Sequence, residues 1–213
     1  MAKDNSSQSL WSAAMTLSRR CPTALAAPVA ALLWPAAAMA HVPGPVTGVR
    51  SLTAVTCVIG GSGSFANSAN TAQGITNLSP RSVDVTASAS GSCLDLRTDK
   101  SATGGHGIVS RAVNITGHLD GATCVLASGH YEATATWTLD DSSTVTSTNS
   151  IDIAAGNFLE NVPGLGAVGT GLFSGATVEN NTVLTNALAN TTACTTTTGL
   201  KNYTFVTQVN VVQ

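Results

Sequence analysis

Apolar and polar residues alternate along most of this chain with a period of two, the mark of strands that bury one face. In "VDVTASASGSC", Val83, Val85, Ala87, Ala89 and Cys93 fall on one side, and Asp84, Thr86, Ser88, Ser90 and Ser92 on the other. Upstream, Val55, Cys57 and Ile59 share one parity. A long Asn/Ser/Gly loop, about residues 66–81, joins the two runs. Antiparallel pairing about that loop brings Cys57 close to Cys93. In "TATWTLDDSSTVTST", Tyr131, Ala133, Ala135, Trp137 and Leu139 line one face, and Thr134, Thr136 and Thr138 the other. "DDSS" has turn chemistry, because short polar side chains bond their own backbone. A strand from about Val145 to Ala154 completes a hairpin. The register expected from matching apolar residues sets Leu139 opposite Val145, Ala133 opposite Ile151 and Tyr131 opposite Ile153. The threonine face is then wet and the indole lies in the core.

The remaining segments follow the same logic. "GIVSRAVNITGHL" is expected to bury Val109, Val113, Ile115 and Leu119. "YTFVTQVNVV" places Tyr203, Phe205, Val209 and Val211 together, and Val206 and Val212 suggest partial cover of its second face. "GLFSGATVEN" (171–180) reads as a strand, and residues 181–199 as a strand or a short helix near 184–189. No long amphipathic helix is apparent. Many short strands separated by turn signals predict an all-β fold, an immunoglobulin-like or jelly-roll antiparallel β-sandwich.

The N-terminus changes the picture of where the domain begins. Arg19 and Arg20 precede "ALAAPVAALLWPAAAMA", an apolar run that ends in Ala38-Met39-Ala40. This reads as a secretory signal peptide over residues 1–40, cleaved before His41, with Met15 as the expected true start. The prolines at 28 and 35 weaken the alternative of a membrane anchor. Residues 41–213 then form a single secreted domain, long enough for a real core.

Export also decides how the cysteines read. Beyond the leader stand Cys57, Cys93, Cys124 and Cys194, too widely spaced for a zinc site and even in number, which predicts two disulfides. Strand register prefers Cys57–Cys93, which leaves Cys124–Cys194.

Charged residues make up only 9% of the chain and the net charge is −2. Arg50, Arg81, Arg97, Lys100, Arg111 and Lys201 are outnumbered by carboxylates and scattered. A nucleic-acid surface needs a concentrated basic face, so nucleic acid is excluded as a partner.

Candidate chemistry is thin. "GLGAVG" (164–169) fits the spacing of a dinucleotide-binding turn but lacks the strand before and the helix after it, so it reads as an inter-strand loop. "DDSST" (140–144) reads as a hairpin tip rather than a cation site, and "DLRTD" (95–99) as a solvated loop with too few oxygens for calcium. His41, as a new N-terminal residue, could chelate copper with a second histidine from His106, His118 or His130. Nothing local supports that. His130 and Glu132 share an outward face. "GGSGS" (60–64) lacks the last glycine of a nucleophile elbow, and no carboxylate pair stands out. The residues themselves assign no catalytic, cofactor or metal position.

The stretches "TCVIGGSGSF", "VDVTASASGSC", "ATCVLASGHYEATATWTLDDSSTVT", "FSGATVE" and "ACTTTTGL", in that order, resemble a group of small exported actinobacterial proteins described only as hypothetical secreted proteins. The resemblance spans most of the mature chain. It implies a signal peptide, a β-sandwich and the same placement of cysteines, and it carries no activity or site residue to transfer. The function expected is that of a secreted, non-enzymatic extracellular or envelope-associated protein, binding a cell-wall or extracellular glycan or a protein partner. The alternative is a secreted hydrolase or copper-dependent enzyme with a site assembled from dispersed residues.

Overall fold

The computed structural model describes Leu52–Gln213. The signal-peptide reading, Met15, His41 and Arg50 lie outside the described residues. Eight strands follow one another: β1 (Thr53–Asn67), β2 (Arg81–Asp95), β3 (Ile108–Ala122), β4 (Ala127–Leu139), β5 (Thr144–Gly156), β6 (Val162–Gly171), β7 (Thr177–Leu184) and β8 (Asn202–Val212). One helix, α1 (Ala187–Cys194), stands between β7 and β8.

Each strand pairs antiparallel with the next, and β8 returns to pair with β1 from Thr53–Val212 to Ser64–Asn202. The sheet is therefore a closed up-and-down barrel, which corrects the sandwich expectation. Both architectures bury alternate residues, so period two does not separate them. What separates them is the pairing of the first strand with the last. Closure leaves no edge strand. It demands tight curvature, and small residues supply it: a Cβ on Gly61 would lie 2.0 Å from the Ser88 carbonyl oxygen, so only glycine lets β1 and β2 approach there.

Inward parity carries the core expected from sequence. Ile59, Val83, Val113, Leu119, Ala135, Trp137, Phe205, Val209 and Val211 are buried. The outer wall is largely hydroxyl: in register across β2 to β6 stand Ser88, Asn114, Thr134, Thr148 and Thr170. That row is the reverse of the apolar band with which a lipid-facing barrel meets the bilayer, although Val58, Val183 and Val206 are exposed on β1, β7 and β8. Among the described residues, no helix is long and apolar enough to cross a membrane.

Several expectations need correcting. The β4–β5 hairpin has Trp137 opposite Val145, Ala133 opposite Asn149 and Tyr131 opposite Ile151, two residues away from the expected register. Parity survives a slip of two, so the same faces are buried. The turn decides the register: Leu139 N–H donates to the Ser143 carbonyl at 2.9 Å, and Ser142 adopts φ 70°, closing a tight connection. The Asp141 carboxylate accepts from Ser143 N–H at 3.0 Å, the local bonding expected of "DDSS".

In β3, an irregularity between Ile108 and Ser110 buries Ile108 and leaves Val109 exposed. Val206 is exposed as well, so β8 is covered on one face there. "GLGAVG" lies within β6 rather than in a loop. Residues 172–175 form a turn between β6 and β7, and the helix starts at Ala187, later than expected.

Both disulfides join the expected partners. Cys57 and Cys93 are directly opposed on β1 and β2, with Cα atoms 4.1 Å apart. Cys124–Cys194 ties the β3–β4 turn to the end of α1. That bridge helps to close one mouth of the barrel, where Ile75 pairs with Leu200 and both are buried. Arg81 holds the same plug by donating to the carbonyls of Gly74 and Thr197, each at 2.7 Å. The opposite mouth is filled by Leu139, Ile108 and Phe173, with Trp137 beneath.

Candidate functional site

An eight-stranded barrel is just wide enough to be filled by its own side chains or to hold one small ligand. Here the filling is incomplete. A cavity of about 80 Å³ lies in the lumen. It exists because small or short side chains point inward at mid-height: Ala87, Ala133, Thr182 and Thr207 line it together with Ile115 and Tyr203. Phe65 covers it from the plugged mouth, stacked on Tyr203 at 4.4 Å and edge-on to Phe158 at 5.0 Å.

Four polar groups in the lumen satisfy one another. Tyr131 O–H donates to Asn180 Oδ1 at 3.1 Å, and Asn180 Nδ2 donates to Thr182 Oγ1 at 3.1 Å. Thr182 donates to Thr207 at 2.9 Å, and Thr207 donates to the Asn181 carbonyl at 3.1 Å. Burial raises the Tyr131 phenol well above its ordinary value, so it stays a neutral donor. Buried polar groups in a finished core look like this, each with a partner.

Arg111 does not. It projects inward from β3, is 3% exposed and lines the cavity. One face of its guanidinium lies 4.9 Å from the centre of the Trp137 ring. Trp137 is itself fixed by donating Nε1–H to Ser147 Oγ at 2.9 Å. With the Asn149 amide turned as its surroundings require, its oxygen accepts from Arg111 Nη2 at 2.7 Å. The Arg111 Nε–H has no partner at all. No carboxylate answers the charge: Asp95 is bound by Arg97, and every other described carboxylate is solvent-exposed. Burial accordingly lowers the Arg111 pKa to about 10, which leaves it a cation near neutral pH.

Sequence reasoning counted Arg111 only as one of several scattered cations. The signal that could have found it was parity. Arg111 sits in register with Val113 and Ile115 on the apolar row of β3, a position where a charge requires an explanation.

The three described histidines are divided between two surfaces. His106 lies near the mouth filled by Phe173, its Nδ1 2.7 Å from Asp140 and its Nε2 3.4 Å from Asp141. These three groups are close enough together to hold an ion. They are exposed, however, and the Asp140 carboxylate also accepts from Gly107 N–H, so the set fastens the β4–β5 turn to the strand beside it. His118 and His130 are directly opposed on the outer wall. Asp84 lies 2.8 Å from His118, and Asp152 and Glu132 lie 2.7 and 2.8 Å from His130. The expected His130–Glu132 pair is there, as part of a longer row. None of the described histidines lines the lumen cavity.

"DLRTD" is solvated only in part: Leu96, Thr98 and Asp99 are exposed, but the Asp95 and Arg97 side chains turn inward. Asp95 accepts from Arg97 Nε at 2.9 Å, from Arg97 Nη2 at 2.7 Å and from Ile108 N–H at 2.9 Å. In "GLGAVG" the glycines make room: a Cβ on Gly166 would lie 1.9 Å from the Ser150 carbonyl oxygen. No amide there opens a helix toward a phosphate.

Comparison offers no shortcut to function. No family model, curated protein or solved structure matches the chain. The reading rests on the lumen.

Proposed function

We propose that this is an exported, non-enzymatic binding protein whose site is the inside of the barrel, where it holds one small, largely apolar molecule. The observation that carries the reading is the 80 Å³ cavity with an under-bonded arginine on its wall. One water needs about 10–15 Å³ and an apolar cavity of about 150 Å³ takes up benzene, so a space of 80 Å³ has room for one small molecule. An apolar pocket with few polar groups, one of them chemically unsatisfied, is the form a small-molecule site takes. The two disulfides and the hydroxyl-rich wall fit a secreted protein, as do the leader reading and the resemblance to small exported actinobacterial proteins.

Filling the cavity tests the reading. Ala87 lines the lumen, and Ala87→Leu adds three carbons to it. Binding of butan-1-ol by the full chain, followed by titration calorimetry, is expected to be saturable and to be lost in Ala87→Leu. Absence of butan-1-ol binding, or equal binding in the filled variant, would refute a lumenal site.

A further inference from the structure

Resting on the lumenal reading, we propose that Arg111 is an anchor for a carboxylate, and that the ligand is a small monocarboxylic acid with an apolar body of about the size of butanoate.

The argument starts from what the cation lacks. A buried charge without a counter-ion is costly and is ordinarily paired. Arg97, in the same barrel, shows the usual solution with Asp95. Arg111 has one hydrogen bond to a neutral amide, a ring against one face and a donor with no acceptor. Of the other polar side chains around the cavity, Tyr131, Asn180, Thr182 and Thr207 belong to the closed chain that ends on the Asn181 carbonyl, and Tyr203 is a neutral phenol; among the described buried side-chain atoms only the Arg111 Nε–H lacks a partner. The buried donor left over therefore belongs to the one cation that lines the lumenal cavity.

Ligand charge and shape follow. One fixed positive charge matches one negative charge. A phosphate dianion would bring a second charge into the lumen with nothing to neutralise it. A guanidinium edge is a planar fork that complements a planar carboxylate, and bonds between the two are charge-assisted. Trp137 occupies one face of Arg111, and the unbonded donor lies on the edge, where a carboxylate would bind. The body of the ligand then lies against Ile115, Ala133 and Val209, which ask for hydrocarbon. The cavity volume limits that body to a few carbons.

The experiment uses titration calorimetry on the full chain with sodium butanoate, butan-1-ol and sodium chloride, in the wild type and in Arg111→Met. Butanoate is expected to bind the wild type and to weaken about 10- to 100-fold in Arg111→Met, the range expected for losing hydrogen bonds to a charged group. Butan-1-ol is expected to bind both proteins alike. If butan-1-ol binds but butanoate does not, or if butanoate ignores the substitution, the anchor is wrong and the lumenal site stands. If neither binds, both fail together. If chloride competes with butanoate at equal concentration, the site is a general anion site and the carboxylic acid assignment is overturned. Should Arg111→Met not fold, Arg111→Lys keeps the charge without the fork and is expected to weaken butanoate alone. The wild-type thermal shift in butanoate must also exceed that in butan-1-ol, since a ligand stabilises the fold in proportion to its occupancy.

Discussion

Two arginine side chains are buried in this barrel, and they differ in the partners they find there. Arg97, near one mouth, has its side chain 5% exposed and lies 5.3 Å from the centre of the Phe173 ring. Arg111, in the lumen, is as deeply buried and sits over Trp137, and the two rings meet edge-to-face at 5.4 Å. Both cations therefore rest on one aromatic pair. Arg97 also has Asp95, which grips two of its nitrogens and takes the Ile108 N–H besides. Arg111 has only an amide oxygen. The first arrangement is complete and structural. The second has the chemistry of half an ion pair. The difference separates a charge that closes a fold from one that waits for something.

The largest expected effect comes from exchanging each arginine for methionine and comparing the two. Arg97→Met leaves the Asp95 carboxylate buried without its cation, and breaking a buried pair in this way costs about 3–5 kcal/mol. Arg111→Met removes a charge that has no partner. It loses the contact with Trp137 and the bond to Asn149 but relieves the burial of a cation, so its stability is expected to stay within about 1 kcal/mol of the wild type. Urea denaturation of the two variants decides this. Equal losses would show that Arg111 is as structural as Arg97, and would end the comparison.

The contrast also explains what could be read from sequence and what could not. Period two placed Trp137, Val113 and Phe205 inside and the threonines of β4 outside, because burial enforces parity locally. The cysteine pairing followed from the same register: Cys57 and Cys93 face each other across β1 and β2. Barrel closure was hidden, because the β1–β8 pairing joins residues more than a hundred positions apart and leaves no local trace. The hairpin register was set by the turn at Ser142 and by inward Ser147 and Asn149. Matching apolar residues could not count those two, since both are polar and find partners inside. Arg97 and Arg111 look alike in sequence. Only the fold shows that Asp95 turns in to meet one of them and that no carboxylate reaches the other.

The next effect is the acid response of the completed pair. Burial works against the Asp95 carboxylate, but the bond from Arg97 and those from the Ile108 and Arg97 N–H groups outweigh it and lower its pKa from 3.8 to about 2. A group depressed on folding adds stability that is present above its unfolded pKa and lost as pH falls through the folded one. The Asp95 contribution is therefore complete above pH 3.8, disappears toward pH 2, and amounts to about 2 kcal/mol. Denaturation midpoints measured from pH 5 down to 2 are expected to fall less steeply in Asp95→Asn than in the wild type. Parallel curves would mean that the Arg97 pair is not held as described. No such acid limb belongs to Arg111, whose neighbours in the lumen carry no carboxylate.

The smallest effect is expected where charges pair in water, on the outer wall, which makes it the control for both buried sites. His118 faces Asp84, Asp120 and, across the strand, His130; His130 faces Asp152 and Glu132. The bond to Asp84 raises the His118 pKa, and the bonds to Asp152 and Glu132 raise that of His130, against the opposing effect of slight burial. A histidine raised on folding contributes stability that is fully present below its unfolded value of 6.5 and is lost as pH climbs through the folded one. Thermal midpoints are expected to drift down as pH rises above 6.5, and the drift is expected to vanish in the double variant His118→Gln, His130→Gln. Because these groups are exposed, salt screens them, and the drift should shrink between 0.1 and 1 M NaCl as the screening length falls from about 10 to 3 Å. The Asp95 acid limb, shielded inside the barrel, should keep its depth over the same salt range. If salt flattened both alike, the Arg97 pair would be as wet as the histidine row, and the case that burial separates the two arginines from the outer charges would fall with it.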